Sequence, residues 1–151
     1  MRCSLDAGDG KEGYRGGRGA GSVGKVVKNM TTSARQKVVA EGLALGIKAG
    51  VELPVLLDCG SRGPVGALKD RLTTVFEGRF DPPVFTLDLA RKDIGLATDL
   101  GRRSGVPMPV ANLVEQIMMH AMNRGWSESD RTIAVRLQEE SSGIEMRVAR
   151  D

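Results

Sequence analysis

The chain has 151 residues, which is enough for one domain, and its 40% hydrophobic content is sufficient for a buried core and argues against general disorder. Only 3% of the residues are aromatic, and the net charge of +3 is spread along the sequence. Because no basic stripe is interleaved with stacking aromatics, this composition argues against nucleic-acid binding. No apolar run approaches 18 residues, so no membrane-spanning helix is predicted.

The two cysteines, Cys3 and Cys59, stand alone in dissimilar contexts. Their separation predicts free thiols in a reducing compartment, and no cluster of ligands predicts a metal site. Since the sequence also shows no secretory apolar segment, we expect a cytoplasmic protein.

The first segment, residues 1–18, is rich in glycine and charge and holds almost no apolar residues. This composition predicts a flexible tail, because it can neither fill a core nor form a strand. The predicted helical domain occupies residues 19–142, and residues 143–151 are predicted to be a short C-terminal tail.

A long amphipathic helix is predicted from about Gly21 to Gly50, where glycine is a natural stop. It would span about 29 residues, or roughly 43 Å. Apolar residues recur in it at three- and four-residue steps, which is the pattern of a helix with one apolar face. They are Val23, Val26, Val27, Met30, Ala34, Val38 and Leu45.

Five shorter helices follow in the prediction, separated by glycine- and proline-rich breaks. They cover residues 52–59, 65–76, 86–103 and 109–124, and a last segment within 127–140 that begins with capping residues and acidic side chains. With no convincing strand before the C-terminal tail, the predicted fold class is all-α.

Two phosphate-binding patterns overlap in the stretch that runs from Gly19 to Lys25. Its glycines spell G-x-G-x-x-G, and the same residues also spell G-x-x-x-x-G-K. Neither pattern has its required context, since a polar tail replaces the strand that must precede both. Val26 also stands where a P-loop needs serine or threonine. Both phosphate-binding interpretations are therefore rejected.

Lys25 and Asn29 remain as a polar pair one helical turn apart, hence on one face. Such a pair is most often a solvated surface. The alternative is a catalytic acid/base lysine beside a substrate-binding amide. Gly21 and Gly24 favour the alternative, because they remove side chains where a partner would approach.

Three stretches together resemble the β-hydroxyacid dehydrogenases, the 3-hydroxyisobutyrate dehydrogenase family. "GAGSVGKVVKNM" is similar to that family's G-x-G-x-x-x-K-x-x-x-N signature, and "FTLDLARKDIGLATDLG" is similar to its F-x-x-x-x-x-x-K-D-x-x-L-A segment. "PMPVANLVEQIMMHAMNRGWSESDRTIAVRLQEE" resembles its closing helices. The match covers roughly residues 19–142, in order, and corresponds to the all-α C-terminal domain of the family.

The resemblance implies a role for five residues. Lys25 resembles the acid/base lysine that takes the proton from the substrate hydroxyl as hydride leaves for the nicotinamide. Asn29 resembles the asparagine that hydrogen-bonds substrate, and Phe85 and Asp93 resemble residues that line the substrate and nicotinamide pocket. Lys92 resembles a lysine that contacts the cofactor. From the residues alone, core packing is favoured for Phe85 and an exposed charge pair for Lys92–Asp93, since charged side chains are usually solvated.

The resemblance also implies NAD or NADP as cofactor, bound mainly by an N-terminal Rossmann domain, and oxidation of a 3-hydroxy acid to a semialdehyde or keto acid, or the reverse. Only 18 residues precede Gly19 where that domain is expected. We therefore expect a truncated, misframed or detached C-terminal domain that is inactive alone. A non-catalytic helical dimerisation domain is the alternative, and in either case we expect a homodimer or homo-oligomer formed through the long helix.

Overall fold

A computed structural model describes residues 20–148, except for the side chains of residues 69–71. The predicted tail over residues 1–18 lies outside the described residues. Six α-helices and two short 3₁₀ turns, Gly66–Leu68 and Arg131–Val135, make up the described fold. The helices are α1 (Ala20–Lys48), α2 (Leu53–Cys59), α3 (Lys69–Phe76), α4 (Leu87–Ser104), α5 (Pro109–Asn123) and α6 (Arg136–Ser142). The all-α prediction is confirmed for this part of the chain.

The long helix α1 buries a face that only partly coincides with the one that the apolar pattern indicates. Val38 and Leu45 are 65% and 73% exposed, and Val23 and Val27 are also exposed. The buried side chains are Ser33, Gln36, Lys37, Val39, Ala40, Leu43 and Ala44. Only part of the apolar pattern therefore faces the core, since Val26, Met30 and Ala34 are half-buried. Three polar residues lie on the core side, where a count of apolar spacing does not find them.

Helices α4 and α5 pack on α1 and on each other. Helix α4 ends at Gly105, whose positive φ of 67° forms a left-handed cap, and α5 begins with a proline at its first turn. Ile94, Val114 and Met118 are almost fully buried where the helices meet. These contacts fix α4 against the first half of α1, which is where the candidate site lies.

The C-terminal residues 143–148 pack on the domain, although a tail is predicted there. The backbone N–H of Met146 donates to Glu139 at 2.7 Å, and the guanidinium of Arg147 pairs with the same carboxylate at 2.6 Å. The N–H of Val148 donates to the carbonyl of Phe76 at 3.2 Å. This segment therefore covers α3 and α6 as part of the core.

Among residues 20–148, no helix is long and apolar enough to cross a membrane. The same residues contain no group of three His, Cys, Asp or Glu side chains placed to hold a metal ion. Cys59 is a free, exposed thiol, and Cys3 lies outside the described part of the chain.

Candidate active site

Two of the predicted site residues, Asn29 and Asp93, meet directly between α1 and α4. The side-chain amide of Asn29 donates to a carboxylate oxygen of Asp93 over 2.6 Å, across 64 residues of sequence. Both side chains are half-buried. A charge-assisted hydrogen bond of this kind fixes the orientation of the amide and leaves its carbonyl oxygen available to accept from a ligand.

Lys25 lies one turn before Asn29, on the same face of α1. Its side chain is exposed, and no hydrogen bond or ion pair joins it to another residue between 20 and 148. Near it, Gly21 and Gly24 leave open space, since a Cβ placed on either would meet no described atom within 4 Å. The amine is therefore accessible from the direction of the first turns of α1.

Lys92 is adjacent to Asp93 but does not share its environment. Successive residues of a helix point in different directions, and Lys92 is exposed. The hydroxyl of Thr86 is the main reason that the pKa of Asp88 lies below its ordinary value, and the positive charge of Lys92 adds to that effect. Lys92 therefore faces the first turn of α4, and the predicted K-D pair is split between two surfaces.

Phe85 lies just before α4 in a loop that is held by the buried carboxylate of Asp130. One oxygen of Asp130 accepts from the backbone N–H groups of Val84 and Phe85 at 3.0 and 3.2 Å. The other accepts from the N–H and the hydroxyl of Thr132 at 2.9 and 2.7 Å. Asp130 thus caps the turn Arg131–Val135 and fixes the Phe85 loop at the same time.

The ring of Phe85 is half-buried and is faced by a guanidinium. The Cζ of Arg131 lies 5.4 Å from the ring centroid, within cation–π range. The backbone N–H of Arg131 also donates to the carbonyl of Phe85 at 2.9 Å. Phe85 packs partly against the core, so both the packing and the pocket interpretations of this residue remain compatible with its position.

An apolar cavity of about 270 Å³ lies beside the candidate site, between α1 and the second half of α4. Its lining includes Val26, Met30, Leu100, Val106 and Met108. Val26 and Met30 alternate along α1 with Lys25 and Asn29, so the helix carries a polar edge next to an apolar one. This arrangement suits a small ligand with one charged and one apolar side.

The structure thus joins Asn29 and Asp93 as a pair and places Lys25 one turn from it. No hydrogen bond or ion pair between described residues links Phe85 or Lys92 to it. Sequence reasoning missed Asp130 as the residue that positions the Phe85 loop. In the sequence, Asp130 precedes an apolar run, and this pattern indicates the start of a helix. It does not indicate that the same carboxylate also binds the Phe85 loop.

Most of the chain matches a known protein family. Residues 19–138 match the family described as the NAD-binding domain of NADP-dependent 3-hydroxyisobutyrate dehydrogenase. The chain belongs to this family. The match includes all the predicted site residues and all the described helices except the last turn of α6.

Curated relatives in the 3-hydroxyisobutyrate dehydrogenase family are longer oxidoreductases. The chain is 29% identical to 2-(hydroxymethyl)glutarate dehydrogenase of Eubacterium barkeri over 139 residues, which are 89% of this chain and 46% of the relative. It is 28% identical to L-threonate dehydrogenase of Cupriavidus necator over 121 residues, 79% of this chain and 40% of that protein. The chain therefore spans less than half the length of either relative.

Solved structures of the family share the fold. The crystal structure of 3-hydroxyisobutyrate dehydrogenase from Salmonella typhimurium matches with a TM-score of 0.70 and 26% identity, over 79% of this chain and 42% of that one. The Mycobacterium tuberculosis 3-hydroxyisobutyrate dehydrogenase matches with a TM-score of 0.63 at 24% identity, over 79% of this chain and 43% of that one, which shows the fold alone.

Proposed function

We propose that the chain is the helical substrate domain of an NAD(P)-dependent hydroxy-acid dehydrogenase, with Lys25 as acid/base. The observation that carries the proposal is the placement of an exposed lysine, which has no partner among residues 20–148, one turn from the Asn29–Asp93 hydrogen bond. Membership of the 3-hydroxyisobutyrate dehydrogenase family supports the reaction class. The substrate would be a small 3-hydroxy acid, oxidised to a semialdehyde or keto acid, or formed from it.

In the proposed oxidation, the Lys25 amine accepts the proton of the substrate hydroxyl. Asn29 hydrogen-bonds the substrate through the amide group that Asp93 orients, so the hydroxyl is held toward the lysine. In the reverse direction the Lys25 ammonium returns the proton to the carbonyl oxygen. Positioned proton transfer of this kind contributes about 10²- to 10⁴-fold to rate.

The cofactor supplies hydride transfer at its nicotinamide ring. The described residues fit such a group, since the start of α1 is open at Gly21 and Gly24 and the exposed amines of Lys25 and Lys92 can donate to amide or phosphate oxygens. We propose that most of the binding comes from a Rossmann domain, as the resemblance implies, and that these 151 residues alone are inactive. The choice between NAD and NADP would be made in that domain.

The test is steady-state turnover after a family Rossmann domain is fused before α1. We expect Lys25→Ala to lower kcat by about 10²- to 10⁴-fold, because the substitution removes the proton acceptor. The fold should be unaffected, since Lys25 is exposed. Lys28→Ala is the matched control, since Lys28 is exposed on the same helix three residues later. Turnover of the Lys25 variant within a factor of two of the Lys28 variant would contradict the proposal.

A second candidate function, a non-catalytic dimerisation domain, is favoured by the exposed apolar stripe of α1. Val23, Val27, Val38 and Leu45 follow one face of the helix at steps of four, eleven and seven residues. We propose that a second copy of the chain covers this stripe, whether or not the domain is catalytic. Light scattering on the purified chain tests this, and a strict monomer at high concentration would count against it. A cytoplasmic location and the absence of nucleic-acid or membrane partners stay predictions.

A further inference from the structure

A second lysine of α1, Lys37, lies in the interior of the domain rather than on its surface. Its side chain is only 7% exposed. No hydrogen bond or ion pair to any described residue involves its amine. A buried amine without an acceptor is costly in its charged form, and native interiors rarely contain one.

Lys37 lines a cavity of about 180 Å³ between α1, α5 and α6. Since one water takes about 30 Å³ of liquid, the cavity can hold a small molecule together with water. Much of its wall is apolar: Ala40, Ile117, Ala134, Val135 and Leu137. A small uncharged molecule in this cavity would lie against Lys37.

The charged and titratable groups around the cavity come from three elements. Glu41 of α1 and His120 of α5 are exposed at the rim of the cavity. Arg131, in the 3₁₀ turn that precedes α6, adds a positive charge that acts on the amine. Helix α6 contributes Gln138 and Ser141, which carry no charge. Glu41 makes no ion pair with Lys37, so its carboxylate is left in solvent.

Burial is the main reason that the pKa of Lys37 falls from 10.5 to about 7, and the charge of Arg131 lowers it further. Near neutral pH much of this amine is therefore uncharged and nucleophilic. An ordinary surface lysine is almost entirely protonated at the same pH.

We propose that Lys37 is a carbamylation site, at which dissolved carbon dioxide adds to the amine within this cavity. The Nζ lone pair forms a bond to the carbon, one carbon–oxygen π pair moves to oxygen, and the nitrogen releases a proton to water. No atom is oxidised or reduced. The product is an N-carboxylate anion on the lysine side chain.

The local charges favour the product over the protonated amine. A protonated Lys37 repels Arg131, whereas a carbamate at the same position attracts it. The reaction therefore turns the repulsion between Lys37 and Arg131 into an attraction, and such charge interactions are strongest in a poorly solvated site. The carboxylate oxygens can also accept hydrogen bonds that the unpaired amine lacks.

The experiment is ¹³C NMR of the full chain in buffer equilibrated with ¹³C-labelled carbon dioxide at fixed partial pressure. We expect a carbamate resonance that grows as the pH rises through about 7, since only the neutral amine reacts. Lys37→Met should remove the part of this signal that comes from Lys37 and leave only the carbamate of the α-amine. The matched variant Lys48→Met, at the exposed end of the same helix, should keep the Lys37 signal.

Peptide mapping on the unmodified sequence keeps the proposal falsifiable if Lys37→Met does not fold. Alkylation of carbamates with a trialkyloxonium salt, followed by mass spectrometry, should place the trapped group on Lys37. The α-amine at the start of the chain is an internal reference for unassisted carbamate formation, since α-amines are less basic than lysine amines. A trapped group found only at Met1, or nowhere, would overturn the proposal.

Discussion

Lys25 and Lys37 occupy the same helix, about 18 Å apart along its axis, in opposite environments. Lys25 is exposed beside an ordered amide–carboxylate pair, and Lys37 is buried beside an arginine. A family signature identifies the first lysine, and no motif identifies the second. The chemistry of a lysine on this helix therefore depends on the residues that pack against its turn.

The largest stability effect is expected at Lys37. Its pKa of about 7 lies below the unfolded value of about 10.4, so the unfolded chain holds more protons between these values. The free energy of unfolding therefore rises by about 1.4 kcal/mol per pH unit as the pH rises through this window. Below pH 7 this contribution to stability is absent. We expect Lys37→Met to be about 4 kcal/mol more stable than the parent near pH 7, with the difference shrinking toward pH 10.

Urea unfolding at several pH values, in buffers purged of carbon dioxide, measures this difference. Lys48→Met should show no comparable pH-dependent difference from the parent, because its amine is exposed. If the parent and Lys37→Met keep a constant stability difference from pH 7 to 9.5, the buried amine does not titrate in this window. The contrast between the two lysines would then fail.

A smaller effect is expected for the Asn29–Asp93 hydrogen bond. The bond is short, half-buried and charge-assisted, so we expect a coupling free energy of about 1–2 kcal/mol in a double-mutant cycle of Asn29→Ala and Asp93→Ala. Asn112 is a matched control, since its amide donates to the carbonyl of Met108, the N-cap of its own helix, and to no other residue that the structure describes.

Denaturant midpoints of the single and double variants give the coupling. Asn112→Ala and Asp93→Ala should be additive within about 0.5 kcal/mol. Additivity of the Asn29 and Asp93 variants to the same limit would mean that the bond does not hold the amide. The proposed orientation of substrate by Asn29 would then lose its structural basis.

The helices could be predicted from the sequence because their ends are marked locally. Gly50, Gly105 and Pro109 stop or start helices by backbone geometry alone, and their positions agree with the observed bounds to within a few residues. The buried face of α1 could not be predicted in this way. Ser33, Gln36 and Lys37 lie on it, and polar residues at core positions contradict the spacing rule that finds apolar faces.

The candidate site could likewise be predicted only where its residues belong to short local motifs. Lys25, Asn29 and Asp93 stand at fixed offsets within two short motifs, so a resemblance could identify them, although their roles stay predictions. The environment of Lys37 depends on Arg131, which lies 94 positions away in sequence and approaches through tertiary packing. The double role of Asp130, which joins a turn to a distant loop, is likewise set by long-range contacts.

Chemical rescue of Lys25→Ala by small primary amines tests most directly whether Lys25 is the acid/base. The assay uses the chain fused to a family Rossmann domain and measures turnover at increasing amine concentration. We expect methylamine or ethylamine to restore activity to the Lys25→Ala enzyme in a saturable manner, and to leave Asn29→Ala unchanged. No recovery at any amine concentration, or equal recovery in both variants, would contradict the claim.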